Sequence, residues 1–274
     1  MERLDLTGRE GIPVPEAVIA VLVDRARTTG LDLLLIGAAA RDLVVHGPVN
    51  QTAVRATLDV DVAVAVSGRG DFEAFTSGLE SMRGAQHKFK VLGIEIDVVP
   101  FGGIEKERSV TFSDGHLLDV SGIAEAAQTA VAVRLPGGTE VKVASLPAQA
   151  ALKILAWRDR RSDSTKDAHD LQSILTAASE GPYEDATWED PRALEATEAD
   201  ILLAGPYRAG YLAAAPFTPE HAVAVTDVLD DLRLRQALAK DMGSPSSLEI
   251  LEAFRAGFHD GLPDIPSGHR SGRV

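Results

Sequence analysis

The hydrophobic pattern changes period at Ser145, and that change limits the folds open to this chain. Before it, apolar residues come in short runs, alternating or continuous, bounded by glycine, proline or aspartate; after it they recur with a period of about 3.6 and do not return to alternation. The predicted fold class is therefore α+β. A mixed sheet flanked by helices is expected over residues 1–144, an all-helical half over 145–262, and a disordered tail over 263–274.

In the first half, 13–29 reads as a helix closed by Gly30, 31–36 as a short buried strand, 38–46 as a helix stopping at Gly47-Pro48, and 49–56 as a polar connection. Residues 58–66 alternate as a strand, with Asp59 and Asp61 on one face and Val60, Val62 and Val64 on the other. Asp71 is suited to cap a helix running to about Met82. Residues 87–92 and 94–101 read as a hairpin about Gly93, and short strands are expected near 116–120, 130–135 and 140–143. In the second half, helices are expected over 146–160 and 165–178. Eight acids stand against Arg192 alone over 180–200, which suggests a solvated linker or loosely held helix, and further helices are expected near 193–204, 219–240 and 246–258.

Composition removes whole classes of chemistry. With no cysteine among 274 residues, disulfide scaffolds, thiolate metal sites and cysteine nucleophiles are excluded, so catalysis must use oxygen and nitrogen groups. Apolar stretches fall short of the roughly 20 residues of a membrane span, and the charged start lacks the apolar core of a signal peptide. A soluble, cytoplasmic protein with no membrane partner is expected. Twenty-seven Lys and Arg against 41 Asp and Glu give a formal charge of −14, which opposes non-specific binding to phosphate backbones. Any nucleic-acid contact then needs a local basic patch.

The sharpest chemical feature is Asp59-Val60-Asp61. Two carboxylates one strand repeat apart lie about 7 Å apart at Cα, near enough to clasp a divalent cation and repulsive without one. Asp97, in the apolar run Ile96-Asp97-Val98, offers a third carboxylate on another predicted strand. This oxygen-only set suits Mg²⁺ or Mn²⁺ and the metal-assisted transfer of a phosphoryl group from an NTP. The competing explanation is that strand acids simply face solvent, which accounts for one such acid more readily than for three. Gly37 ends one strand and opens the helix Ala38-Ala39-Ala40-Arg41, a turn that lets phosphate approach backbone N–H groups. Arg41, and Arg55 and Thr57 just before the Asp pair, add phosphate-binding groups.

A second cluster runs from Lys153 through Trp157, Arg158, Arg160 and Arg161 to Lys166, Asp167 and Asp170. Between 151 and 171 there are five Lys or Arg and four Asp, so this stretch is locally positive in an acidic chain. A solvated helix pair laced with salt bridges, Lys166 with Asp170 at i, i+4 among them, is the competing explanation. Trp157 reads as core or as a lid over the patch. The seven histidines show no ligand spacing, and neither a Gly-x-Ser-x-Gly elbow nor a Walker-type loop is present.

Gly37-Ala38 after a strand, Arg55-x-Thr57-x-Asp59-Val60-Asp61, Ile96-Asp97-Val98 and the later Lys153, Asp167 and Asp170 together resemble the DNA polymerase beta-type nucleotidyltransferase superfamily. Within it they look most like the abortive-infection toxin group AbiEii/AbiGii. The resemblance covers roughly residues 31–178, with Ala38 where the superfamily usually has Ser or Gly. It implies a nucleotidyltransferase-like first half and transfer of a nucleoside monophosphate from an NTP to an acceptor hydroxyl. Asp59, Asp61 and Asp97 would be the metal ligands, Lys153 would hold the triphosphate, and Asp167, with Asp170 as second choice, would be the acid needed for activity. It further implies a tRNA 3′ end as acceptor, docking through Arg158, Arg160, Arg161 and Lys166, and a paired antitoxin. Modification of a protein or of a small molecule such as an aminoglycoside, and a non-catalytic nucleotide-binding module, are the alternatives.

Overall fold

Valine-rich alternation between Asp59 and Val66 builds the strand about which the rest is arranged. The structure, a computed structural model, describes residues 3–9, 14–49 and 59–263. Arg55 and Thr57, all of the expected connection after Val49, and the tail beyond Pro263 lie outside the described residues. Strands β1 (Arg3–Asp5), β2 (Leu33–Ile36), β3 (Asp59–Val66), β4 (Glu80–Ser81), β5 (Lys88–Val91) and β6 (Ile94–Gly102) share a sheet with β9 (Val131–Arg134) and β10 (Glu140–Val143). Its order is β1-β9-β10-β2-β3-β6-β5-β4, while β7 (Ser109–Thr111) and β8 (Leu117–Asp119) form a separate pair. The sheet is mixed: β3 runs antiparallel to β2 and parallel to β6.

Helices in the first half are α1 (Glu16–Thr29), α2 (Gly37–Arg41), a π-helical turn Asp42–His46, α3 (Gly47–Val49), α4 (Arg69–Thr76) and α5 (Ile123–Gln128). As expected, Gly30 closes α1 in the left-handed conformation, where it has no Cβ to strain. The helix expected to stop at Gly47-Pro48 continues instead. The wide π turn ends at His46 and helical geometry runs on through Gly47 to Val49, while the Val44 carbonyl, the acceptor that Pro48 cannot use, accepts from the Tyr183 hydroxyl at 2.8 Å. Asp71 does not cap α4. Gly68 precedes the helix, Asp71 sits in its first turn with its carboxylate accepting the Ser67 N–H at 2.8 Å, and the helix ends at Thr76 before Gly78 turns at φ +74°.

The second half holds α6 (Leu146–Arg160), α7 (Lys166–Ala177), α8 (Gly181–Trp188), α9 (Pro191–Ala196), α10 (Ile201–Ala214), α11 (Pro219–Asp230), α12 (Leu232–Met242) and α13 (Ser247–Gly261). The acid-rich 180–200 stretch is therefore two helices, anchored by fully buried Thr187 and Ala193, and Asp190 caps α9 by accepting from the N–H groups of Arg192 and Ala193. The single helix expected near 193–204 is broken by positive φ at Glu198 and Ala199. After that break α10 runs through Pro206, because Ser179 Oγ donates to the carbonyls of Ile201 (2.9 Å) and Leu202 (3.4 Å), the latter being the acceptor that proline cannot use. Asp231 leaves the helical region and caps α12, splitting the helix expected over 219–240.

Buried side chains of the sheet, of α6 and α7 and of α11 to α13 belong to one continuous hydrophobic cluster. Among the described residues no helix is long and apolar enough to cross a membrane. Backbone contact between α10 and α13 is set by glycine: a Cβ on Gly257 would overlap the Tyr207 carbonyl, and one on Gly210 the Phe254 carbonyl. Gly257→Ala should therefore destabilise the fold by about 2 kcal/mol or more through overpacking. Gly70→Ala in α4, which meets nothing within 4 Å, should be neutral to slightly stabilising. Thermal melting compares the two, and equal midpoints would contradict the close α10–α13 contact.

Candidate active site

Parallel pairing of β3 with β6 places Asp61 directly opposite Asp97 and Asp59 opposite Glu95. The antiparallel hairpin with β5 sets Lys88 opposite Asp97 and Lys90 opposite Glu95. Bridge partners project to the same side of a sheet, so one face carries Asp61, Asp97 and Lys88 in one row and Asp59, Glu95 and Lys90 in the next. Val60, Val62, Ile96 and Val98 are buried on the other face. The three aspartates predicted to converge thus share a face on two adjacent strands. Lys88 Nζ lies 2.8 and 2.6 Å from the two carboxylate oxygens of Asp97.

Gly37 is pressed against this row. Ile36 pairs with Asp61, and Gly37 then turns the chain at φ +69° into α2, with Ala38 next in its first turn. A Cβ at Gly37 would overlap the Asp61 carboxylate and stand 2.8 Å from its Cγ, so any side chain there must displace the acid. Burial, then the charges of Asp97 and Asp59, push the Asp61 carboxyl up to about 6, against the smaller opposing pulls of Lys153 and Lys88.

Lys153 joins this face to the helices. Ser145 caps α6 through Ala148 N, and two turns on, the Lys153 ammonium meets Asp167 at 2.9 Å and Asp170 at 2.7 Å, both from α7. Burial works against that ammonium, but Asp170 and Asp167 outweigh it and hold its pKa above the usual lysine value. Arg41 at the end of α2 pairs with Asp170 and, at 2.6 Å, with fully buried Asp42, while Arg160 reaches Asp167 at 2.9 Å. Three cations thus meet three carboxylates. The structure brings Arg41 together with Lys153, Asp167 and Asp170, although 129 positions separate Arg41 from Asp170.

The expected basic patch is largely compensated. Arg158 pairs with Asp119 at 2.8 Å and Asp159 at 2.9 Å, and Arg160 is committed to Asp167. Arg161 lies over the Trp157 ring at 5.3 Å, and Lys166 is exposed at the start of α7. Asp170, expected to pair with Lys166 along the helix, is paired instead with Lys153 and Arg41. Trp157 is fully buried and donates its Nε1–H to Asp241 at 2.9 Å, so it is core.

Among the described residues no three acidic or histidine side chains are gathered into a ready-made cage for an ion. Mg²⁺ does not demand one, since it commonly takes one or two carboxylates and completes its shell with substrate phosphates and water. The oxygen-only donors on one face, and the burial and mutual repulsion that lift Asp61, fit such an ion. Two participants escaped the sequence reading. Lys88 follows from hairpin register once Leu92 and Gly93, at φ +51° and +81°, are both placed in the turn; the strand expected over 87–92 had absorbed Leu92. Asp42 carries no sequence signal beyond its neighbour Arg41.

The Asp61 shift makes a signed prediction. The folded protein keeps that proton to about pH 6, whereas the unfolded chain releases it near 3.8. Stability attributable to this group therefore falls as pH rises from about 4 to about 6, by something on the order of 3 kcal/mol, and stays at the lower level above. In EDTA, Asp61→Asn should melt several degrees above wild type at pH 7.5, with the gap closing near pH 4. A variant that melts lower at pH 7.5 would refute the account of Asp61 as a carboxylate raised by burial and by its like-charged neighbours.

The model of the family "Nucleotidyl transferase AbiEii toxin, Type IV TA system" matches residues 43–260. No curated protein matches the chain. Among solved structures, the solution structure of the antibiotic-resistance factor ANT(2'')-Ia is similar at 15% identity, covering 67% of this chain and 97% of that one with a TM-score of 0.36. With the family match spanning β3, β6, α6 and α7, the chain belongs to the AbiEii toxin family of nucleotidyl transferases.

Proposed function

We propose that this nucleotidyltransferase moves a nucleoside monophosphate from a Mg²⁺- or Mn²⁺-bound NTP to an acceptor hydroxyl, releasing pyrophosphate. The observation that carries this reading is the direct opposition of Asp61 and Asp97 beside Gly37, with the Lys153 charge acting on Asp61. Asp59, Asp61 and Asp97 would hold the cation. When bound, such a cation neutralises the triphosphate and eases loss of the acceptor proton. Lys153 and Arg41 bind the β- and γ-phosphates, and Asp167 and Asp170 orient those two cations. The Gly37-Ala38 turn admits the phosphates beside Asp61. The acceptor oxygen bonds to the α-phosphorus, the bond to the β-phosphate oxygen breaks, and an oxygen of Asp97 takes the hydroxyl proton.

A tRNA 3′ end is the acceptor we favour, with an antitoxin as the controlling partner. A cationic small molecule is the second reading, favoured by the −14 charge and by the ion pairs that occupy Arg158 and Arg160. Incubation with labelled NTPs and, in parallel, total tRNA, cell lysate and aminoglycosides separates them: label on tRNA is expected, and label confined to the drug rejects the toxin reading. Asp61→Asn and Lys153→Ala should each lower transfer by about 100-fold or more. Transfer retained by a folded Asp61→Asn protein would end the mechanism.

A further inference from the structure

Asp97, a proposed cation ligand, is ion-paired with Lys88. Both its oxygens lie within hydrogen-bond distance of Lys88 Nζ, and the two side chains remain 25% and 41% exposed, open to water and ions. The pair is built into the sheet, because Lys88 and Asp97 are register partners across β5 and β6. Lys90 holds the same relation to Glu95 in the next row but does not touch Asp97's partner, Asp61, in the register.

We propose that Lys88 is a positioning residue for Asp97: its ammonium holds the carboxylate beside Asp61 while the site lacks a divalent cation and yields it when the cation is bound. This rests on the function proposed above. An ammonium suits such an exchange. It is a strongly hydrated point charge on a flexible four-carbon stem, able to swing into solvent, whereas a guanidinium would grip both oxygens in a fixed fork. Without Lys88, Asp97 and Asp61 would face each other with their nearest balancing charge on the sheet removed, which favours an external cation.

The test is Mn²⁺ binding by calorimetry at pH 7.5, with no nucleotide and no turnover. Lys88→Met should bind Mn²⁺ about fivefold more tightly than wild type, the scale of one partly exposed ion pair. Lys88→Arg should bind more weakly than wild type, and Lys90→Met should differ from wild type less than Lys88→Met does. A general structural role for Lys88 would not move the Met and Arg variants in opposite directions. If Lys88→Met does not fold, Lys88→Arg carries the test alone: affinity equal to or above wild type overturns the proposal. So does Lys88→Met affinity within twofold of wild type, or an equal gain in Lys90→Met. Wild-type binding that Asp61→Asn abolishes, yet that ignores Lys88, overturns this inference and leaves the proposed function standing. Binding that Asp61→Asn leaves unchanged removes both.

Discussion

Two carboxylates held side by side by a parallel strand pair set the character of this protein. Asp61 and Asp97 are placed opposite each other by the register of β3 and β6, and Gly37 lies so near Asp61 that a Cβ there would overlap its carboxylate. Burial and like charge then act together on Asp61. A sheet organised for stability alone would not place these groups there. The apolar side chains on the opposite face offset that cost, since Val60, Val62, Ile96 and Val98 are buried against the core and lock the register.

The helical half contributes charge as well as packing. Lys153, on the first helix after the sheet, is nearly enclosed, and it is kept charged by Asp167 and Asp170 from the next helix. Asp170 also takes Arg41, and Asp42 holds Arg41 from its own turn. The π-helical turn that begins at Asp42 thus lies within the network that links α2 to α6 and α7. Removal of one member leaves another buried charge without its partner, so the network is expected to behave as a unit.

The packing beneath the network depends on small residues. Gly210 and Gly257 allow backbone contact between α10 and α13, and the main hydrophobic cluster passes from the sheet through α6 into those helices. Rigid support of this kind fixes Lys153 relative to Asp61 although they belong to halves with different periodicity. Arg158 and Arg160 are spent on internal pairs, so local sequence charge there overstates the charge offered to a ligand.

Period alone determined the division into sheet and helices, the common face of Asp59 and Asp61, and the helices α6 and α7, because strand and helix repeats depend only on neighbouring residues. The close of α1 at Gly30 was legible for the same reason. Tertiary structure decided what distance along the chain conceals: the opposition of Asp61 and Asp97, the pairing of Arg41 with Asp170, and the engagement of Lys88 with Asp97 through a turn one residue longer than the glycine suggested. It also decided that the acid-rich 180–200 stretch is helical and that α10 tolerates Pro206, since Thr187 and Ala193 are buried by other helices and Ser179 serves the carbonyls beside the proline. Register, burial and ion-pair choice are set by partners remote in sequence, and those partners become neighbours only when the chain has folded.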